Sequence, residues 1–148
     1  MRHVRIDPRE GPGDAGAPGT EQIYVQDRMS RPAVTVAARA SVGEALCLMA
    51  GHRIHYLPVV DDEAHLVGMV NEDDVLGTRR AGPAPGDAAA AVMSAPAVSV
   101  GPWVPLQEAL HLMVDRRIGA LPVVQDGQVI GILTQSDVVA ALARQYSR

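Results

Sequence analysis

Two places in this chain set an aspartate three residues after a helix-capping side chain, Asn71…Asp74 and Thr134…Asp137. Each lies where a β-rich run gives way to helical periodicity. Such a switch points backbone N–H groups and the positive end of a helix dipole outward, which favours an anion. An ionised aspartate only accepts hydrogen bonds, so it suits a partner that donates them. The plainer alternative is that Asn71 and Thr134 are simple N-caps, a role both residue types fill well. Glu72 and Asp73 add two carboxylates beside the first pair. They should repel an anion there.

Other chemistry finds no support. All 13 basic residues are Arg, so there is no amine for a Schiff base or a P-loop. His52-x-x-His55 is too short for the usual two-histidine zinc spacing and lacks an acidic or thiol partner at ligand offset. Cys47 lies on an apolar helical stretch and reads as core. Gly11-Pro-Gly-Asp-Ala-Gly16 matches a dinucleotide fingerprint in letters only, with no strand before it and no helix after it. There is no nucleophile elbow and no HExxH. With no nucleophile–base pair to name, the chain reads as non-enzymatic.

The elements that must position the two aspartates are one unit written twice. Met29–Val60 and Met93–Val124 align without a gap, and 17 of those 32 positions are identical. One deletion in the following turn then sets Gly68 on Gly131 and Asp74 on Asp137. Each copy reads as an extended piece, a helix, two strands and a second helix. Ser41-Val-Gly-Glu44 is a capping box for the first helix, and Pro105 enters its counterpart. The second helix of copy two should run from about Gln135 to Arg144. The fold class is α/β (α+β), two β-α-β-β-α repeats packed about a pseudo-twofold axis. One unit of about 50 residues cannot cover its own sheet. Two can, which would set equivalent residues at two related clefts.

This gives a disordered tail at 1–19, repeat one at 20–80, a linker at 81–87 and repeat two at 88–148. Asp87 is a candidate cap for a short Ala-rich helix leading into repeat two. The net charge of −4 argues against a basic nucleic-acid surface. A single Cys cannot make an internal disulfide, so a reducing cytoplasm is expected. No apolar run reaches membrane-span length, and the N-terminus carries no signal-peptide core. The Arg-only, Ala-rich composition suggests a GC-rich bacterial genome.

The repeat resembles a tandem pair of CBS (cystathionine-β-synthase) domains, a Bateman module, over about residues 21–144. The resemblance is carried by Met29-Ser30-x-Pro32 with Met93-Ser94-x-Pro96, and by Glu44-Ala45-Leu46 with Glu108-Ala109-Leu110. It continues through Leu57-Pro58-Val59-Val60 with Leu121-Pro122-Val123-Val124, and Gly68…Asp74 with Gly131…Asp137. It implies regulation: clefts between the repeats that take AMP, ADP, ATP or S-adenosylmethionine and report to a partner protein. In the family a G-x-h-[ST]-x-x-D element closes each cleft, its Asp on the ribose and its hydroxyl on phosphate. Gly131–Asp137 matches throughout; Gly68–Asp74 has Asn71 in place of the hydroxyl residue.

The resemblance places adenine on Thr35, His55 and Tyr56 in copy one, and on Ser99, Gly119 and Ala120 in copy two. Strand residues Pro58 and Pro122 complete the two sets. Tyr56 could stack on a base or be an ordinary strand tyrosine. Arg53, Arg79, Arg80, Arg116 and Arg117 are the available phosphate partners. No cofactor is required beyond the regulatory ligand. Leu46, Leu48, Met49, Leu110, Leu112 and Met113 look like surplus apolar helix surface, which a homodimer would bury. The rival readings are a structural dimerisation module without ligand and a nucleic-acid-binding regulator.

Overall fold

A computed structural model describes residues 4–6, 22–76, 84–95 and 97–146. In chain order its elements are β1 (Val4–Ile6), α1 (Val25–Arg28), β2 (Val36–Ala37), α2 (Val42–His52), β3 (Tyr56–Val60), β4 (Leu66–Asn71) and α3 (Glu72–Leu76). They continue with α4 (Ala89–Val92), β5 (Val98–Val100), α5 (Leu106–Arg116), β6 (Ala120–Gln125), β7 (Gln128–Thr134) and α6 (Gln135–Tyr146). Both copies are therefore β-α-β-β-α, as the sequence pattern requires.

In copy one the sheet order is β2-β3-β4, with β2 parallel and β4 antiparallel to β3. Its helix α2 begins where the Ser41 hydroxyl accepts from the Glu44 amide at 3.1 Å. Val42, Ala45 and Met49 then face one way and are buried. They pack on Leu57, Val59 and Val70 of the sheet. Pro58 sits mid-strand because the β2 ladder starts one residue later, at Val36↔Val59. Its missing N–H costs that ladder nothing. In copy two Pro122 likewise precedes the β5–β6 pairing Val100↔Val123.

The second sheet has four strands, β1-β5-β6-β7. Val4–Ile6, expected in an unstructured tail, instead supply its edge strand. The Gly11–Gly16 motif and Arg79 and Arg80 lie outside the described residues. Three other expectations need correction. Pro105 is the N-cap of α5, not its first helical residue. Asp87 does not cap α4, whose N-cap is Ala88; the Asp87 carboxylate accepts from the Ala84 amide at 2.9 Å. Met49, Leu112 and Met113 are core, at 5%, 9% and 1% exposure, so the surplus helix surface is smaller than their hydrophobicity suggests.

The compact units do not coincide with the sequence repeats. Among the described residues the first unit centres on the stretch 34–98, the second on 99–126 and 130–146 together with 22–33. The Met-Ser segments explain the offset. Ser94 exchanges backbone hydrogen bonds with Met69 at 2.8 and 3.1 Å, within the first unit. Ser30 does the same with Ile132 at 2.9 and 3.0 Å, within the second. Each repeat's leading segment therefore closes the sheet of the other repeat's strands. The helices follow suit: Ala89 N–H donates to Ala40 and Ala90 N–H to Ala38, as Val25 donates to Val104 and Gln26 to Pro102.

Candidate functional site

Each aspartate closes a reciprocal cap. In copy two the Asp137 carboxylate accepts from the Thr134 amide at 2.9 Å, and the Asp137 amide donates to the Thr134 hydroxyl oxygen at 3.2 Å. In copy one Asp74 accepts from the Asn71 amide at 3.0 Å, and the Asp74 amide donates to the Asn71 side-chain oxygen at 2.8 Å. The simple capping role is thus real in both copies. It also fixes what remains for a ligand. The Thr134 hydroxyl has spent an acceptor and keeps its O–H to donate; the Asn71 amide keeps its NH₂. Each carboxylate has used one of about four acceptor positions. The amides of Gln135 and Glu72 are taken by the carbonyls of Gly119 and His55, both at 2.9 Å. The anion-attracting N–H groups expected at this turn are therefore largely committed, and side chains carry the binding capacity.

Those two backbone bonds join the parts of each set. Gly119 and Ala120, half-buried and 6% exposed, reach the Thr134–Asp137 turn. In copy one Tyr56 lies opposite Asn71 in the β3–β4 register, half-buried, with His55 beside it. Thr35 is half-buried just before β2, and Pro58 and Pro122 are buried within β3 and β6. Ser99 is 0% exposed. Its side chain is core and is not presented to a ligand, unlike that of its counterpart Thr35.

Sequence reasoning missed a link across the first site. His55 Nδ1 donates to Glu72 Oε2 at 2.8 Å, between side chains that are 70% and 49% exposed. Copy two has Gly119 and Gln135 at these positions and cannot form it. Glu72 is thus drawn toward His55 and is not simply a free repelling charge. Arg53 and Arg117 are the left-handed C-caps of α2 and α5, with φ of 55° and 54°. Both are exposed, as is Arg116, and each cap lies two residues before the site residue His55 or Gly119. Cys47 is exposed, not core. Among the described residues no three His, Cys, Asp or Glu side chains are grouped to hold a metal ion.

The CBS domain family matches residues 24–80 and again 89–144. The chain belongs to that family. An inosine-5′-monophosphate dehydrogenase from Methanocaldococcus jannaschii is 36% identical over 120 residues, 80% of this chain but only 22% of the dehydrogenase. The CBS pair of protein MJ0100, solved with 5′-methylthioadenosine and S-adenosyl-L-methionine, superposes with a TM-score of 0.77. It is 25% identical, covering 84% of this chain and 99% of that one. CBSX2, solved in complex with AMP, gives 0.71 at 31% identity, covering 84% and 98%. The two CBS repeats account for both candidate sites, and among the described residues no helix is long and apolar enough to cross a membrane.

Proposed function

We propose that this CBS pair is a non-catalytic regulatory module that binds adenosine-type ligands, one set of residues per repeat, and signals occupancy to a partner protein. The observation that carries this reading is the Thr134–Asp137 cap, which holds a free hydroxyl donor and a carboxylate acceptor side by side. Asp137 takes the ribose diol and Thr134 meets phosphate. Gly119 and Ala120 leave room for the base. The second set is the stronger, because the first carries Glu72, Asp73 and the His55–Glu72 link. AMP, ADP, ATP and S-adenosylmethionine are the candidate ligands; the neighbours solved with AMP and with S-adenosylmethionine support that range. The compartment we propose is the cytoplasm, in keeping with the free Cys47.

Calorimetry on Asp137→Asn and Asp74→Asn tests the proposal. Asn keeps a side-chain oxygen for the cap but loses the charge. Removing a charged acceptor costs about 1.5–3 kcal/mol. Asp137→Asn should then weaken AMP binding about 10–100-fold, while Asp74→Asn leaves the tighter event nearly intact. The reverse ranking would invert the two sites. No binding by the parent chain to any of the four ligands would refute the reading.

A further inference from the structure

At the end of α1 the second unit buries part of a cation where the first buries a hydrocarbon. Arg28 is the last residue of α1; its counterpart is Val92, the last residue of α4, which packs against the first unit's core. Arg28 is half-buried. Its Nε is shut off from solvent and has no hydrogen-bond partner. Nη1 donates to the Asp27 carbonyl at 3.0 Å. Among the described residues no carboxylate forms an ion pair with it. An N–H of a guanidinium shut off from solvent without an acceptor is unfavourable unless a partner answers it. Packing does not require it, because a valine fills the equivalent place.

The neighbours of α1 say where that partner would come from. Ser30 pairs antiparallel with Ile132. Arg28 lies two residues before Ser30 in the chain, and Thr134 two residues after Ile132. Helix α1 also packs against α6, the helix that Thr134 and Asp137 open. In the first unit, where Ser94 pairs with Met69, Val92 lies two residues before Ser94 and Asn71 two residues after Met69. The segment paired with the strand that ends in the complete cap thus carries an arginine, and the segment paired with the strand that ends in the altered cap carries a valine.

We infer that Arg28 is the phosphate-selecting residue of the second site. Its planar fork pairs with the phosphate of a nucleotide whose sugar Asp137 holds, a geometry that guanidinium fits better than ammonium. This rests on the adenosine-ligand reading above. The first site, with Val92, then favours adenosine ligands without a phosphate.

Calorimetry of the full chain with AMP and with adenosine tests this in the parent, Arg28→Val and Arg28→Lys. The parent should bind AMP more tightly than adenosine. Arg28→Val should lose about 10–100-fold for AMP and leave adenosine unchanged, with no drop in unliganded melting temperature. Arg28→Lys should fall between, keeping charge and losing the fork. Equal losses for both ligands, no loss for either, or a sharp fall in melting temperature of Arg28→Val would each overturn it. If the parent binds both ligands equally, this inference fails while the adenosine reading stands. If the parent binds neither, the adenosine reading itself has failed.

Discussion

A β-carbon at Gly131 would stand 2.9 Å from the Ser30 carbonyl oxygen and 2.7 Å from the Met29 sulfur. One at Gly68 would stand 2.9 Å from the Ser94 carbonyl oxygen and collide with the Met93 sulfur. The glycine and the distant Met-Ser dipeptide are two halves of one contact, since the backbone cannot retreat from its own hydrogen bonds. Gly68→Ala and Gly131→Ala should each cost about 1–3 kcal/mol. Gly51, exposed in α2 with nothing within 4 Å of its would-be Cβ, is the control. Gly51→Ala should gain about 0.5–1 kcal/mol by helix propensity. Urea unfolding of the three variants checks both signs. These residues were visible in the repeat, but their partnership was not, because a one-dimensional offset does not say which sheet edge a segment joins. Cys47 was legible and misread. With Val42, Ala45 and Met49 buried, the helical wheel puts residue 47 on the opposite face.

Among the elements, the helices and strands follow from local pattern and the turns from specific side chains. The β3–β4 turn is built on Asp61, whose Oδ1 accepts from the amides of Glu63 and His65, both at 2.9 Å. The bond from the His65 amide does most to hold the Asp61 carboxyl below its ordinary 3.8; desolvation opposes it, and the Glu63 amide and the His65 charge add smaller downward pulls. A carboxylate with a depressed value stabilises the fold above its unfolded value and loses that contribution as pH falls through the folded one. The turn should therefore stay closed at neutral pH and open only in acid, below 3.8. A step in the Glu63 amide chemical shift in that range, absent in Asp61→Asn, checks it. The helix ends make a second test. Arg53 and Arg117 hold a left-handed conformation that costs a non-glycine residue about 1–2 kcal/mol. Arg53→Gly and Arg117→Gly should raise stability by about 0.5–1 kcal/mol in thermal melts, part of the relief being offset by glycine's greater freedom when unfolded.

At the scale of the whole molecule, the β-α-β-β-α repeat was readable because hydrophobic period and cap residues are local. The exchange of leading segments between repeats was not, because it is decided by tertiary pairing at Ser30–Ile132 and Met69–Ser94. The same limit applies to apolar helix surface, where sequence cannot separate core from contact face. The structure separates them: Met113 and Leu112 are interior, while Val114 on α5 and Val139 on α6 are 61% and 59% exposed. Leu110, one turn before Val114, is half-buried, and α5 packs against α6. The homodimer we propose would cover this face with a second copy, since leaving such side chains in water forfeits roughly 25 cal/mol per Å² of apolar surface. Val114→Asp with Val139→Asp should shift sedimentation from dimer to monomer and leave the circular dichroism spectrum unchanged. Met113→Asp should instead unfold the chain, because a buried unpaired carboxylate has no partner in that core. A parent chain that already sediments as a monomer at micromolar concentration would remove the dimer. So would a double variant that remains dimeric, which would move the contact to another surface.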